Sequence, residues 1–165
     1  MIAVGKQAPD FELTSHLGKK NFSLSQFKGQ KHVMLVFYPL DWTPTWSKEV
    51  PGIQSILDEF KAVDTQVLGV SIDSHYSHEN WANSLGGISF PLLADFHPKG
   101  AMAEKYGVYL ADKGITDRAT VIIDKQGVVR YAVSVTPSGE RNPKDLLAEC
   151  QKVNKGWRGA RALFL

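Results

Sequence analysis

One junction limits what this chain can fold into. His32 to Tyr38 is a short run of aliphatic, β-branched and aromatic residues, the composition of a buried strand. Pro39 ends it, because proline has no N–H to give to a central ladder. Beyond Pro44 the apolar residues Val50, Ile53, Ile56, Leu57 and Phe60 return every three or four positions, which is helical spacing. A strand therefore runs through a turn into a helix, expected over Glu49 to Ala62. The opening turn of such a helix carries unpaired N–H groups and a positive dipole end, and both stabilise an anion placed there.

The remaining chain repeats this alternation. Ala8 to Leu13 starts with a proline and then alternates as an edge strand does, and Asn21 to Leu24 reads as a second strand. Ser25 to Gly29 reads as one helical turn closed by glycine. Val67 to Ile72 is nearly unbroken in its apolar character and predicts a central parallel strand. Ser77 is placed to cap a helix that ends before Gly86-Gly87, followed by a strand over Phe90 to Ala94 and a helix over Pro98 to Tyr106. Two strands, Ala119 to Asp124 and Val128 to Val135, flank the glycine-containing Lys125-Gln126-Gly127 loop. Asn142-Pro143 starts a last helix running to about Val153. This order predicts an α/β layer architecture with a mixed central sheet and helices on both faces. From Lys155 onward the tail ends apolar, and packing or a loose terminus are both open.

At 165 residues the chain suits one domain, 1–165, with no repeat, linker or low-complexity segment. A net charge of +2 without any lysine- or arginine-rich cluster gives no reason to expect nucleic acid. No apolar run approaches the ~20 residues that span a bilayer. Met1 to Lys6 lacks the charged and apolar regions of a secretory signal, so a cytoplasmic location is expected. Cys150 is the single cysteine, which excludes an internal disulfide, a four-ligand zinc site of the usual kind, a Cys-x-x-Cys oxidoreductase centre and a two-cysteine redox cycle within one chain.

At the organising junction, Pro39-x-x-x-Thr43-x-x-Trp46 resembles the peroxiredoxin active-site pattern Pro-x-x-x-Thr-x-x-Cys at every defining place except the last. Three further segments resemble that family in the right order: Ala8-Pro9-Asp10-Phe11, the Ser71 to Trp81 stretch, and Asp117-Arg118 leading into Ala119 to Asp124. The resemblance covers about residues 3 to 154. It implies a thioredoxin fold with an N-terminal extension and a thiol-dependent peroxidase acting on hydrogen peroxide or alkyl hydroperoxides, without metal, haem or flavin. It also implies electrons from a thioredoxin-like or other dithiol reductant, and a homodimer or larger ring. Carried over position by position, Pro39 shields the site, Thr43 and Arg118 serve the peroxide, and Glu49 orients Arg118. Read alone, Arg118 is a surface arginine before a strand, and Glu49 a first-turn glutamate favoured by the helix dipole.

The position of the peroxidatic cysteine holds Trp46. Indole is only a donor and has no nucleophilic acid–base couple near neutral pH, so turnover should be lost. Its volume does not fit a pocket shaped for a sulfur atom and a peroxide. Trp46 is expected either to fill that pocket or to swing out and unwind the first turn. Retention of Pro39, Thr43, Glu49 and Arg118 favours a recent or engineered replacement; the alternative is a natural non-catalytic pseudoenzyme, a binding or chaperone-like assembly on the same scaffold. Cys150 is either an inert buried residue, the favoured reading, or a resolving thiol. His75 and His78 lack a third ligand nearby and read as solvated loop residues rather than metal ligands. Trp81 reads as core or interface, and Trp42 and Pro44 as interface.

Overall fold

The structure is a computed structural model and describes residues 1–135 and 139–162. The N-terminal region forms a hairpin, β1 (Glu12–Thr14) against β2 (Asn21–Ser23), followed by a 3-10 turn at Ser25–Phe27. The main body then runs β3 (His32–Phe37), α1 (Pro44–Ser55), α2 (Leu57–Ala62), β4 (Thr65–Ser71), α3 (His75–Ser84), β5 (Leu92–Ala94) and α4 (Ala101–Lys105). A small hairpin, β6 (Tyr109–Leu110) and β7 (Ile115–Thr116), precedes β8 (Ala119–Ile123), β9 (Val129–Ser134) and α5 (Pro143–Ala162).

Five strands make one mixed sheet in the order β5-β4-β3-β8-β9. β3 lies in the middle, parallel to β4 with Leu35 opposite Leu68, and antiparallel to β8 with Leu35 opposite Val121. All six residues of β3 are buried, which is why its sequence is continuously apolar rather than alternating. Successive side chains still point to opposite faces. Val33, Leu35 and Phe37 enter one core layer with Phe11, Phe22, Phe27 and Tyr106. Met34, Val36 and Tyr38 enter the other, with Trp46, Val50, Phe60, Trp81, Leu147 and Cys150. Gly69 on β4 is required where it stands, since a Cβ there would come within 2.7 Å of Leu92 Cδ2 and 3.6 Å of the Tyr38 ring.

Several expected boundaries move. The long first helix begins earlier, with Pro44 in its first turn, and is broken at Ile56 (φ −118°, ψ 21°). Pro51 inside α1 has no N–H for the Ser47 carbonyl, a cost the apolar periodicity does not register. The third helix starts at His75 because Ser74, not Ser77, is its cap: the Ser74 hydroxyl accepts the Ser77 N–H at 3.2 Å. The helix expected from Pro98 shrinks to Ala101–Lys105. The last helix continues through Lys155 to Ala162, and Trp157 sits edge-on to His32 with Lys125 Nζ 4.4 Å from its ring. Leu163 to Leu165 lie outside the described residues. No helix of the described residues is long and apolar enough to cross a membrane.

Candidate active site

The sheet places the junction at the carboxyl end of its central strand, where α/β folds bind ligands. Tyr38 and Pro39 are buried as the chain leaves β3. Thr43 precedes α1 in extended backbone (φ −78°, ψ 146°), and its hydroxyl donates to the Leu40 carbonyl at 2.9 Å. Pro44 is then pre-set for the helix by its fixed φ. This puts residue 46 in the first helical turn.

Trp46 is fully buried and that turn is intact. Of the two expected arrangements, the indole therefore fills the interior. It stacks on Tyr38 with ring centroids 4.2 Å apart and planes 16° from parallel, and Trp81 lies 6.2 Å away. The guanidinium carbon of Arg141 stands 5.3 Å from the indole centroid. Within the described residues, Trp46 Nε1 and Arg141 Nη2 are buried without a hydrogen-bond partner.

Glu49, one turn further along α1, gathers the charges. It accepts from the Arg141 backbone N–H at 2.8 Å and from Arg141 Nε at 3.1 Å, and its Oε2 lies 3.6 Å from Arg118 Nη1. Arg141 also donates Nη1 to the Ala119 carbonyl at 3.0 Å. Burial is the main cause that lowers the Arg118 pKa, opposed by Glu49. Burial likewise brings Arg141 down to about 10, opposed by Glu49 and reinforced by Arg118. Both stay charged at neutral pH. Two buried guanidiniums thus share the Glu49 carboxylate one turn from residue 46, with Asp117 and Glu140 also acting on Arg118, and the helix N-terminus adds positive potential. The indole answers this only with the negative face of its ring, a cation–π contact. A neutral ring thus occupies the first turn of α1, with Arg141 against its face.

The structure brings Trp46, Glu49 and Arg118 together, with Pro39 and Thr43 on the adjoining turn. It does not bring in Cys150. That thiol is fully buried on α5, 3.6 Å from Met34 Sδ, and burial raises its pKa to about 12. The reading of His78 as a solvated loop residue is corrected: it is fully buried in α3, with Nδ1 2.7 Å from Asp41 Oδ2 and Nε2 3.0 Å from the Leu93 carbonyl. The signal was available, since His78, Trp81, Ala82 and Leu85 share the spacing of one helix face. Arg141 was not anticipated either. It sits just before the Asn142-Pro143 helix start, and nothing local distinguishes it from a surface arginine. Trp81 is core, whereas Trp42 is exposed and adopts φ +69°.

The description "AhpC/TSA family" matches residues 4–132. Alkyl hydroperoxide reductase E of Mycobacterium tuberculosis is 35% identical over 144 residues, covering 87% of this chain and 93% of that protein. Selenocysteine-containing peroxiredoxin PrxU of Peptoclostridium acidaminophilum is 39% identical over 160 residues, covering 92% and 77%. Among solved structures, the reduced 2-Cys peroxiredoxin of Plasmodium vivax superposes with a TM-score of 0.87 at 30% identity, over 96% of this chain and 85% of that one. Mycobacterium tuberculosis AhpC superposes with a TM-score of 0.81 at 29% identity, over 91% and 92%. The mixed sheet flanked by helices is therefore a thioredoxin fold, and the chain belongs to the AhpC/TSA family, the peroxiredoxins.

Proposed function

We propose that this chain is a peroxiredoxin-type thiol peroxidase frame in which Trp46 disables turnover. The carrying observation is Arg141, held by Glu49 over a first-turn residue that is not a thiol, with Arg118 on the same Glu49 carboxylate. With cysteine at 46, the helix N-terminus and the neighbouring Arg141 would favour the thiolate. That sulfur would attack one peroxide oxygen while the O–O bond breaks. The products are a sulfenic acid and an alkoxide or hydroxide that takes up a proton to leave as alcohol or water. Arg118 and Thr43 would serve the developing charge, and Pro39 would exclude water. A dithiol such as a thioredoxin-like protein would then reduce the sulfenic acid to thiol and water. Cys150 does not substitute, since a buried thiol with a pKa of about 12 is neither ionised nor reachable. A homodimer or larger ring and a cytoplasmic location belong to the same reading.

A second reading, a binding or chaperone-like assembly without catalysis, is favoured by how well the indole is packed: it is stacked on one side by Tyr38 and covered by Arg141. A third is raised by the selenocysteine-containing relative. The codons UGG and UGA differ in one base, and UGA is read as tryptophan in some genetic codes and as selenocysteine in some genes. A UGA at codon 46 read as selenocysteine would make the natural residue a selenol, which Arg141 and the helix N-terminus would favour as selenolate. Reading that codon decides it: UGG removes the third reading.

The functional test is peroxide consumption with a dithiol reductant, comparing this chain with Trp46→Cys. The proposal expects no turnover from the former and rapid turnover from the latter. Two inert proteins would favour the binding reading, and turnover by the unmodified chain would overturn the assignment of the site.

A further inference from the structure

A second buried polar cluster lies behind the aromatic stack. Tyr38 donates its hydroxyl to Asp41 Oδ1 at 2.7 Å. Asp41 Oδ2 is 2.7 Å from His78 Nδ1, and the opposite ring nitrogen of His78 faces the Leu93 carbonyl at 3.0 Å. A carbonyl can only accept, so Nε2 carries a hydrogen and donates it to Leu93, which leaves Nδ1 facing Asp41 and the Tyr38 hydroxyl. The Asp41 backbone N–H donates to Asp73 Oδ2 at 2.9 Å, which also accepts the Ser71 hydroxyl at 2.6 Å. Asp41, Asp73 and His78 have ligating atoms within 4.8 Å of one another, but these hydrogen bonds already engage them.

The segment so held is the turn between β3 and α1. Its own internal support is slight: Thr43 bonds Leu40 locally. Trp42 is in the left-handed region at φ +69°, which strains a bulky side chain and persists only where neighbours over-determine it. Asp41, the residue before it, is fastened to Asp73 just past β4 and to His78 of α3, and through His78 to β5. Through the Tyr38 hydroxyl the same carboxylate fixes the ring on which residue 46 stacks.

We infer that Asp41 and His78 are positioning residues, a buried latch that ties the β3–α1 turn to α3 and β5 and so sets where Thr43 and residue 46 stand. The inference rests on the reading of this turn as the active-site turn, but its test does not depend on peroxidase activity. The measurement is amide hydrogen exchange on the full chain, following Asp41 and Ser47, whose N–H groups bond Asp73 and the Thr43 carbonyl. Asp41→Ala is expected to speed exchange at these amides roughly tenfold or more while β3 and β8 stay protected. Asp41→Asn, whose amide can donate to a neutral Nδ1, is expected to restore slow exchange. Should Asp41→Ala fail to fold, His78→Gln decides, since glutamine keeps the Asp41 arm or the Leu93 arm but not both, and exchange at Asp41 and Ser47 should rise without loss of β3 protection. Unchanged local exchange in a folded variant, a uniform loss across the sheet, or no rescue by asparagine would overturn the latch.

Discussion

Positions 46 and 150 share one core layer and divide between them what a peroxidatic cysteine needs. Position 46 has a helix N-terminus, Arg141 against it and Arg118 on the same Glu49 carboxylate, and holds an indole. Position 150 has the thiol, beside Met34 and within apolar walls that raise its pKa to about 12. The contrast teaches that reactivity belongs to surroundings as much as to the residue. On the proposed reading, the thiol at 150 lacks the cation that would activate it, and the surroundings of 46 lack the thiol.

The largest effect that would sharpen this contrast is at position 46 itself. Trp46→Cys should raise peroxide turnover by at least ~10³-fold over the unmodified chain, and should cost about 3 kcal/mol of stability for the lost aromatic packing. Activity assays and denaturant unfolding read the two effects, and turnover gained without lost stability would mean that the site refills on substitution.

Next comes the charge cluster. Glu49→Gln leaves Arg118 and Arg141 buried without their shared carboxylate and should destabilise the fold by about 3–5 kcal/mol, measured by urea unfolding. A loss below ~1 kcal/mol, the value of an exposed pair, would break the account of a water-excluded cationic site.

Alkaline pH separates the two positions further. Cys150 binds its proton more tightly folded than unfolded, so stability falls as pH rises from about 9 towards its folded value of about 12. The slope contributed is about 1.4 kcal/mol per pH unit. Cys150→Ala should unfold with a visibly flatter dependence over that window, and an unchanged slope would show that the thiol is not held in apolar surroundings. Smallest is Thr43→Val, which removes the hydroxyl bond to Leu40 and should cost about 1 kcal/mol in thermal unfolding.

The sequence made the order of layers legible because β3 and β4, buried on both faces, each carry a nearly unbroken apolar stretch, residues 33–37 and 67–70. The turn and the helix start were legible as a pattern through Pro39, Thr43 and the place of Trp46, with Glu49 matched separately three residues on. Arg118 needed the join with a distant strand. Arg141 was not legible, because a buried arginine is defined by what folds over it, and Glu49 lies 92 positions away along the chain. His78 was misread for a related reason: its partners Asp41 and Leu93 come from other elements, and only the helix-face spacing hinted at burial. The break at Ile56 was hidden because apolar periodicity continues across it.

The most direct test of a cationic frame around residue 46 is to titrate a single thiol there, in the Trp46→Cys, Cys150→Ser chain, by thiolate absorbance or alkylation rate. The account predicts a pKa depressed into the ~3.5–7.5 range of thiols at helix N-termini beside arginines. An ordinary or raised pKa, near or above ~8.5, would contradict it.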